Sequence, residues 1–298
     1  MEHEEWKGPS VLENLAQIYR QLYLRPGEVS PEEYKKIVNK GMEPEVKDLS
    51  HFRCHPQDRC LYENTPAGEV MVVTLNQRQD FELFLQIMAN RCVPYEVPST
   101  QGASIIDGLI NWTKIQNHRT KFMISKRASG DTDPDWNAEF KRFTADKKNY
   151  NDTVIVLCAG PYSGIKSEQV GMPETEWLNI SMKIRRVHEC THFVCRRLYP
   201  EKKDTVWDEL VADAAGIYAA LGRYDLKMAE LFLGITETGY TGGRLQNYTG
   251  NEDIDNLAMR VHSVLSKIDK VILNHEGVSA YDMVLILEDK KEELWDAD

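Results

Sequence analysis

The sequence predicts an α+β fold, predominantly helical with a small mixed β-sheet, and three observations carry that expectation. Apolar residues recur at helical spacing in several segments of the 298-residue chain. Two apolar, β-branched runs, Val70-Met71-Val72-Val73-Thr74 and Thr153-Val154-Ile155-Val156-Leu157, break that pattern and read as buried strands. Two helical segments, near residues 174–199 and 205–221, are joined by the polar turn Glu201-Lys202-Lys203-Asp204 and predict an antiparallel helix hairpin. No linker composition marks a boundary, so residues 1–298 read as one domain, with an N-terminal helical portion over 1–65 and a core over 66–298.

Each element has a local reason. Leu12, Leu15, Ile18, Tyr19 and Leu22 form an apolar stripe over residues 11–23. Ser30-Pro31-Glu32-Glu33 opens a second helix, with Ser30 as cap, Pro31 in the first turn and Glu33 closing a capping box. Residues 48–68 read as irregular. The strand over 69–75 is followed by a helix over 79–90, a second helix over 105–116, a short strand over 121–126, a helix over 135–145 and a strand over 152–158. The turn-rich segment Gly160-Pro161-Tyr162-Ser163-Gly164 comes next. A long helix then begins at Pro173 or Glu174 and ends before Pro200; Ile180, Ile184, Val187, Thr191, Val194 and Leu198 form its core stripe. Gly222 stops the following helix. Glycines mark a loop over 239–251, and helices cover 254–273 and 280–295.

Composition narrows the function classes. The 42% hydrophobic content supports a sizeable core, while 36 basic against 47 acidic residues give a net charge of -11, which argues against a nucleic-acid surface. No run approaches the roughly 20 apolar residues that cross a bilayer, and the opening Met1-Glu2-His3-Glu4-Glu5 lacks a basic and apolar leader, so the expected location is cytoplasmic, with no membrane partner. Six dispersed cysteines read as reduced thiols.

The chemistry concentrates at His188-Glu189-Cys190-Thr191-His192. Two histidines four positions apart on a helix stack one above the other, so their ring nitrogens can converge on one ion, while Glu189 projects about 100° around the helix and is the expected general base. A third ligand must come from elsewhere, and the hairpin returns Glu209 toward the histidines. Asp213 lies on the same face as Glu209 and can accept a hydrogen bond from a ligand histidine. Ala212, Gly216, Ala219 and Ala220 leave little bulk on that helix. Tyr162 is the candidate oxyanion donor; Tyr199, Tyr240, Tyr248, Arg185 and Arg196 are further polar candidates.

At these residues the chain resembles the gluzincin class of zinc metallopeptidases, in which H-E-x-x-H is followed on a later helix by E-x-x-x-D. The match comprises His188, Glu189, His192, Glu209 and Asp213 and extends over about residues 185–223. The resemblance implies a zincin-like core over 66–298, one Zn2+ held by His188, His192 and Glu209, catalysis by Glu189 and orientation by Asp213. The substrate would be a peptide, a protein or a small amide, cleaved with a zinc-activated water. Two alternatives share the same residues: a noncatalytic zinc-bound regulatory or binding protein, and a hydrolase of a nonpeptide amide or ester. His51, Cys54, His55 and Cys60 form the other concentration of metal-capable groups, at a spacing that matches no strong finger pattern.

Overall fold

A computed structural model describes residues 5–295, and its contacts divide the chain into two compact units. The first contains residues up to Tyr62, Met71–Pro98 and Ser104–Cys158; the second contains Glu63–Val70, Ser99–Ala103 and the chain from Ala159 onward. Residues 5–62 group with the sheet strands, and His188, His192 and Glu209 lie in the other unit. Residues 1–4, which contribute to the leader reading, lie outside the described residues.

The first unit is the α+β part. Its elements are β1 (Trp6–Lys7), α1 (Ser10–Ile18), α2 (Pro31–Lys40), the larger parts of β2 (Arg59–Thr65), β3 (Gly68–Leu75) and β4 (Ala103–Ile110), and α3 (Arg78–Met88), α4 (Trp112–Ala128), α5 (Trp136–Thr144) and β5 (Asn151–Cys158); residues 63–65, 68–70 and 103 group with the second unit. The sheet is mixed, in the order β1-β2-β3-β5-β4. β1 runs antiparallel to β2, and β3 runs parallel to β5 with Val72 opposite Ile155. The two β-branched runs are therefore adjacent central strands, with Val73, Val154 and Val156 fully buried, as expected of strands covered on both faces. Leu12, Leu15, Phe81, Phe84 and Ile87 complete this core. Ser30 Oγ accepts from the Glu33 amide at 3.2 Å, and Gly41 closes α2 in the left-handed region.

Three local readings change. β2 lies in the stretch read as irregular, where its polar residues Arg59, Glu63 and Asn64 hide the strand pattern. The helix expected over 105–116 is β4 followed by α4, with the boundary set by Asn111, whose side chain caps the Lys114 amide at 3.1 Å. The strand expected over 121–126 lies inside α4, which buries only Ile115 and rests on α5 through Phe122 and Trp136.

The second unit is mostly helical: α6 (Ser167–Val170), α7 (Glu174–Leu198), α8 (Thr205–Leu221), α9 (Leu226–Leu233), α10 (Ile254–Leu273), α11 (Ala280–Asp289) and α12 (Lys291–Leu294), with a two-stranded hairpin of β6 (Ile235–Thr236) and β7 (Gly239–Tyr240). Asp204 caps α8 by accepting from the Trp207 amide at 2.9 Å, and Gly222 ends it at φ 73°. No helix among the described residues is long and apolar enough to cross a membrane.

α7 and α8 form the expected hairpin, and their packing at Gly216 leaves no room for a side chain. A Cβ there would lie 2.9 Å from the Ile184 carbonyl oxygen, a rigid backbone atom of α7. Gly216→Ala is expected to destabilise the protein by about 1–3 kcal/mol through forced separation of the two helices. Chemical denaturation tests this, and an unchanged midpoint and slope would mean that the hairpin is not tightly packed at this point.

Candidate metal centre

The hairpin brings three donors together. His188 Nε2 and His192 Nε2 lie 3.0 Å apart, Glu209 Oε2 lies 3.5 Å from the first, and Glu209 Oε1 lies 3.3 Å from the second. Donors placed 2.0–2.1 Å from one ion at tetrahedral angles would be separated by about 3.3 Å, so this triangle has the dimensions of three corners of a four-coordinate site. His188, His192 and Glu209 are the one group of three or more potential ligands that converges among the described residues. Two imidazoles and a carboxylate suit a borderline divalent cation.

The far side of His188 fixes its orientation. Nδ1 lies 3.0 Å from Asp213 Oδ1 and 2.8 Å from the Tyr162 hydroxyl, which itself donates to Asp213 Oδ1 at 2.6 Å. A protonated Nδ1 donating toward these oxygens leaves the Nε2 lone pair for the cluster. Asp213 is 1% exposed, yet its carboxyl is held well below the usual range. Burial pushes it up, and the Arg244 guanidinium together with the His188 hydrogen bond outweighs that effect. Arg244 donates to Asp213 Oδ2 and, at 2.8 Å, to the Tyr162 hydroxyl, and its guanidinium lies over the Tyr162 ring. The same competition acts on Glu209: burial raises its carboxyl, but the hydrogen bond to His192, with His188 and Arg244 nearby, holds it at about 2.

Glu189 is half-buried next to His188 on α7; burial lowers the His192 pKa, and the hydrogen bond and charge of Glu209, with a smaller contribution from Glu189, raise it on balance. It is not one of the converging donors. Cys190, within the motif, is fully buried, and burial raises its thiol to about 12.

Tyr162 does not occupy the position of an oxyanion donor. Its hydroxyl is engaged by Asp213, Arg244 and His188 Nδ1, on the opposite edge of the His188 ring from the donor triangle, so it supports the orientation of the His188 ring instead. The turn that carries it is itself anchored, since Arg185 donates to the carbonyls of Gly160 and Pro161 at 3.1 and 2.9 Å. The loop over 239–251 folds inward: Arg244 reaches Asp213, and the Tyr248 hydroxyl donates to Glu209 Oε2 at 3.0 Å. Arg244 carries no sequence signal, because it stands in a polar turn outside any periodic pattern. Tyr199 and Arg196 line a cavity next to His192, whereas the Tyr240 hydroxyl donates to the Gly243 carbonyl at 2.8 Å.

His51, Cys54, His55 and Cys60 do not assemble as ligands. Asp80 accepts from the amides of Arg53 and Cys54, and Asp58 from that of His55, so buried carboxylates organise this loop. His51 Nε2 faces the Leu22 carbonyl at 3.1 Å, and Cys60 is buried in β2.

The chain belongs to the group described as "Family of unknown function (DUF7005)", whose profile matches residues 4–280. No curated protein and no solved structure matches the chain.

Proposed function

We propose that this protein is a zinc-dependent hydrolase, with peptides as the favoured substrate class, whose α7–α8 hairpin is the centre of a zincin-like core. The observation that carries this reading is the convergence of His188, His192 and Glu209 at ligand spacing, with a half-buried carboxylate, Glu189, next to His188 along α7. Zinc bound there supplies Lewis-acid polarisation and lowers the pKa of water from 15.7 to about 7. Asp213, Tyr162 and Arg244 hold His188 in the ligating tautomer, and Tyr248 holds the Glu209 carboxylate. Glu189 accepts a proton from the attacking water and returns it to the leaving amine.

Elemental analysis of protein purified without chelators tests the site. The expected result is about one zinc per wild-type chain and its loss from Glu209→Ala. Wild-type protein that takes up no metal on reconstitution would overturn the proposal. A peptide library run beside a panel of small amides and esters separates peptidase from nonpeptide hydrolysis, because a peptidase shows preferences at several positions around one bond.

A further inference from the structure

A cavity of about 390 Å³ adjoins the donor cluster and shares His192 and Glu209 with it. This volume lies within the range of small-ligand sites, about 300–1,000 Å³. Charge in its lining is sorted by depth. Glu288 of α11 is 1% exposed and Asp208 of α8 is half-buried, whereas Arg196 and Lys203 are exposed at the mouth. Glu288 Oε1 accepts from the Trp207 indole at 3.1 Å, and the Cys195 thiol points toward it at 3.6 Å. Among the described residues, neither Asp208 nor Glu288 forms an ion pair, and the ammonium of nearby Lys291 is directed to the Lys202 carbonyl. Burial raises the Glu288 carboxyl, and the charge of Asp208 raises it further. A cation entering here would find two poorly solvated acids and offset their desolvation.

We propose that this cavity is a specificity pocket for a basic residue at a free C-terminus. The ammonium or guanidinium meets Glu288 and Asp208 inside, and the terminal carboxylate meets Arg196 and Lys203 at the mouth. An isolated cation would be repelled at that mouth, so the alternation of charge selects a zwitterionic end rather than a cation alone. The role of the pocket in turnover rests on the hydrolase reading; its binding preference does not.

Calorimetric titration of the zinc-loaded protein tests the preference with three probes: Nα-acetyl-lysine, its amide, which lacks the carboxylate, and Nα-acetyl-norleucine, which lacks the ammonium. Acetyl-lysine is expected to bind about tenfold or more tightly than either. Glu288→Gln, which retains an acceptor for Trp207, and Asp208→Asn, at a partly exposed position, are each expected to shrink its advantage over norleucine. Arg196→Gln is expected to shrink its advantage over the amide. Equal binding of acetyl-norleucine, or a lysine preference that survives the Glu288→Gln/Asp208→Asn double variant, would overturn the pocket. Cleavage of peptides without regard to a basic C-terminus also overturns it while leaving the hydrolase reading intact. Selective binding with no cleavage of lysine-terminated peptides retains the pocket and removes the hydrolase reading.

Discussion

Zinc-loaded Glu189→Gln is expected to keep its metal and to lose turnover by a factor of about 10²–10⁴, the usual contribution of a positioned general base. The substitution is nearly isosteric and affects a half-buried side chain that is not among the three converging donors, so metal content and folding should stay at wild-type levels. Turnover at saturating substrate, measured alongside zinc stoichiometry, separates loss of the base from loss of the metal. Wild-type turnover in the variant would remove Glu189 from the mechanism. Loss of zinc would mean that Glu189 contributes to holding the ion.

Arg244→Met is expected to destabilise the fold by about 3–5 kcal/mol, because it strands a buried carboxylate rather than trimming a surface ion pair. Asp213 is 1% exposed, and Arg244 is the cation that donates to it. For a chain of this size the change corresponds to a fall in melting temperature of about 5–8 °C. Adding Asp213→Asn to Arg244→Met should recover a large part of the loss by removing the uncompensated charge, so the two substitutions should be strongly non-additive. Zinc affinity should also fall, by about 10–100-fold, since Asp213 and Tyr162 orient His188 from its far side. A cost below about 1 kcal/mol for Arg244→Met, or simple additivity of the pair, would refute the view that Arg244 neutralises Asp213 in the folded protein.

Elements whose evidence was local were legible in the sequence. Ser30 and Gly222 mark helix ends by a hydrogen bond or a backbone conformation of their own, and those helices begin or end where these residues place them. The β-branched runs over 70–74 and 153–157 are strands because both faces are buried, a demand that the composition of a short segment already expresses. Readings failed where the pattern was weak or continuous across a boundary. β2 is rich in polar residues, and β4 passes into α4 at Asn111 with no proline or glycine at the junction.

The candidate site divides along the same line. The spacing of His188 and His192 on one helix, and of Glu209 and Asp213 on the next, is a short-range property, so the sequence by itself determined which residues could meet across the hairpin. Only the tertiary structure decided what surrounds them. Arg244 and Tyr248 arrive from a polar loop far along the chain, Tyr162 turns from a candidate oxyanion donor into a support for His188, and Glu288 of α11 joins Asp208 in the cavity beside His192. Helical periodicity constrains side chains three or four residues apart, whereas a buried charge network is fixed by desolvation and by partners whose separation along the chain leaves no trace in a local pattern.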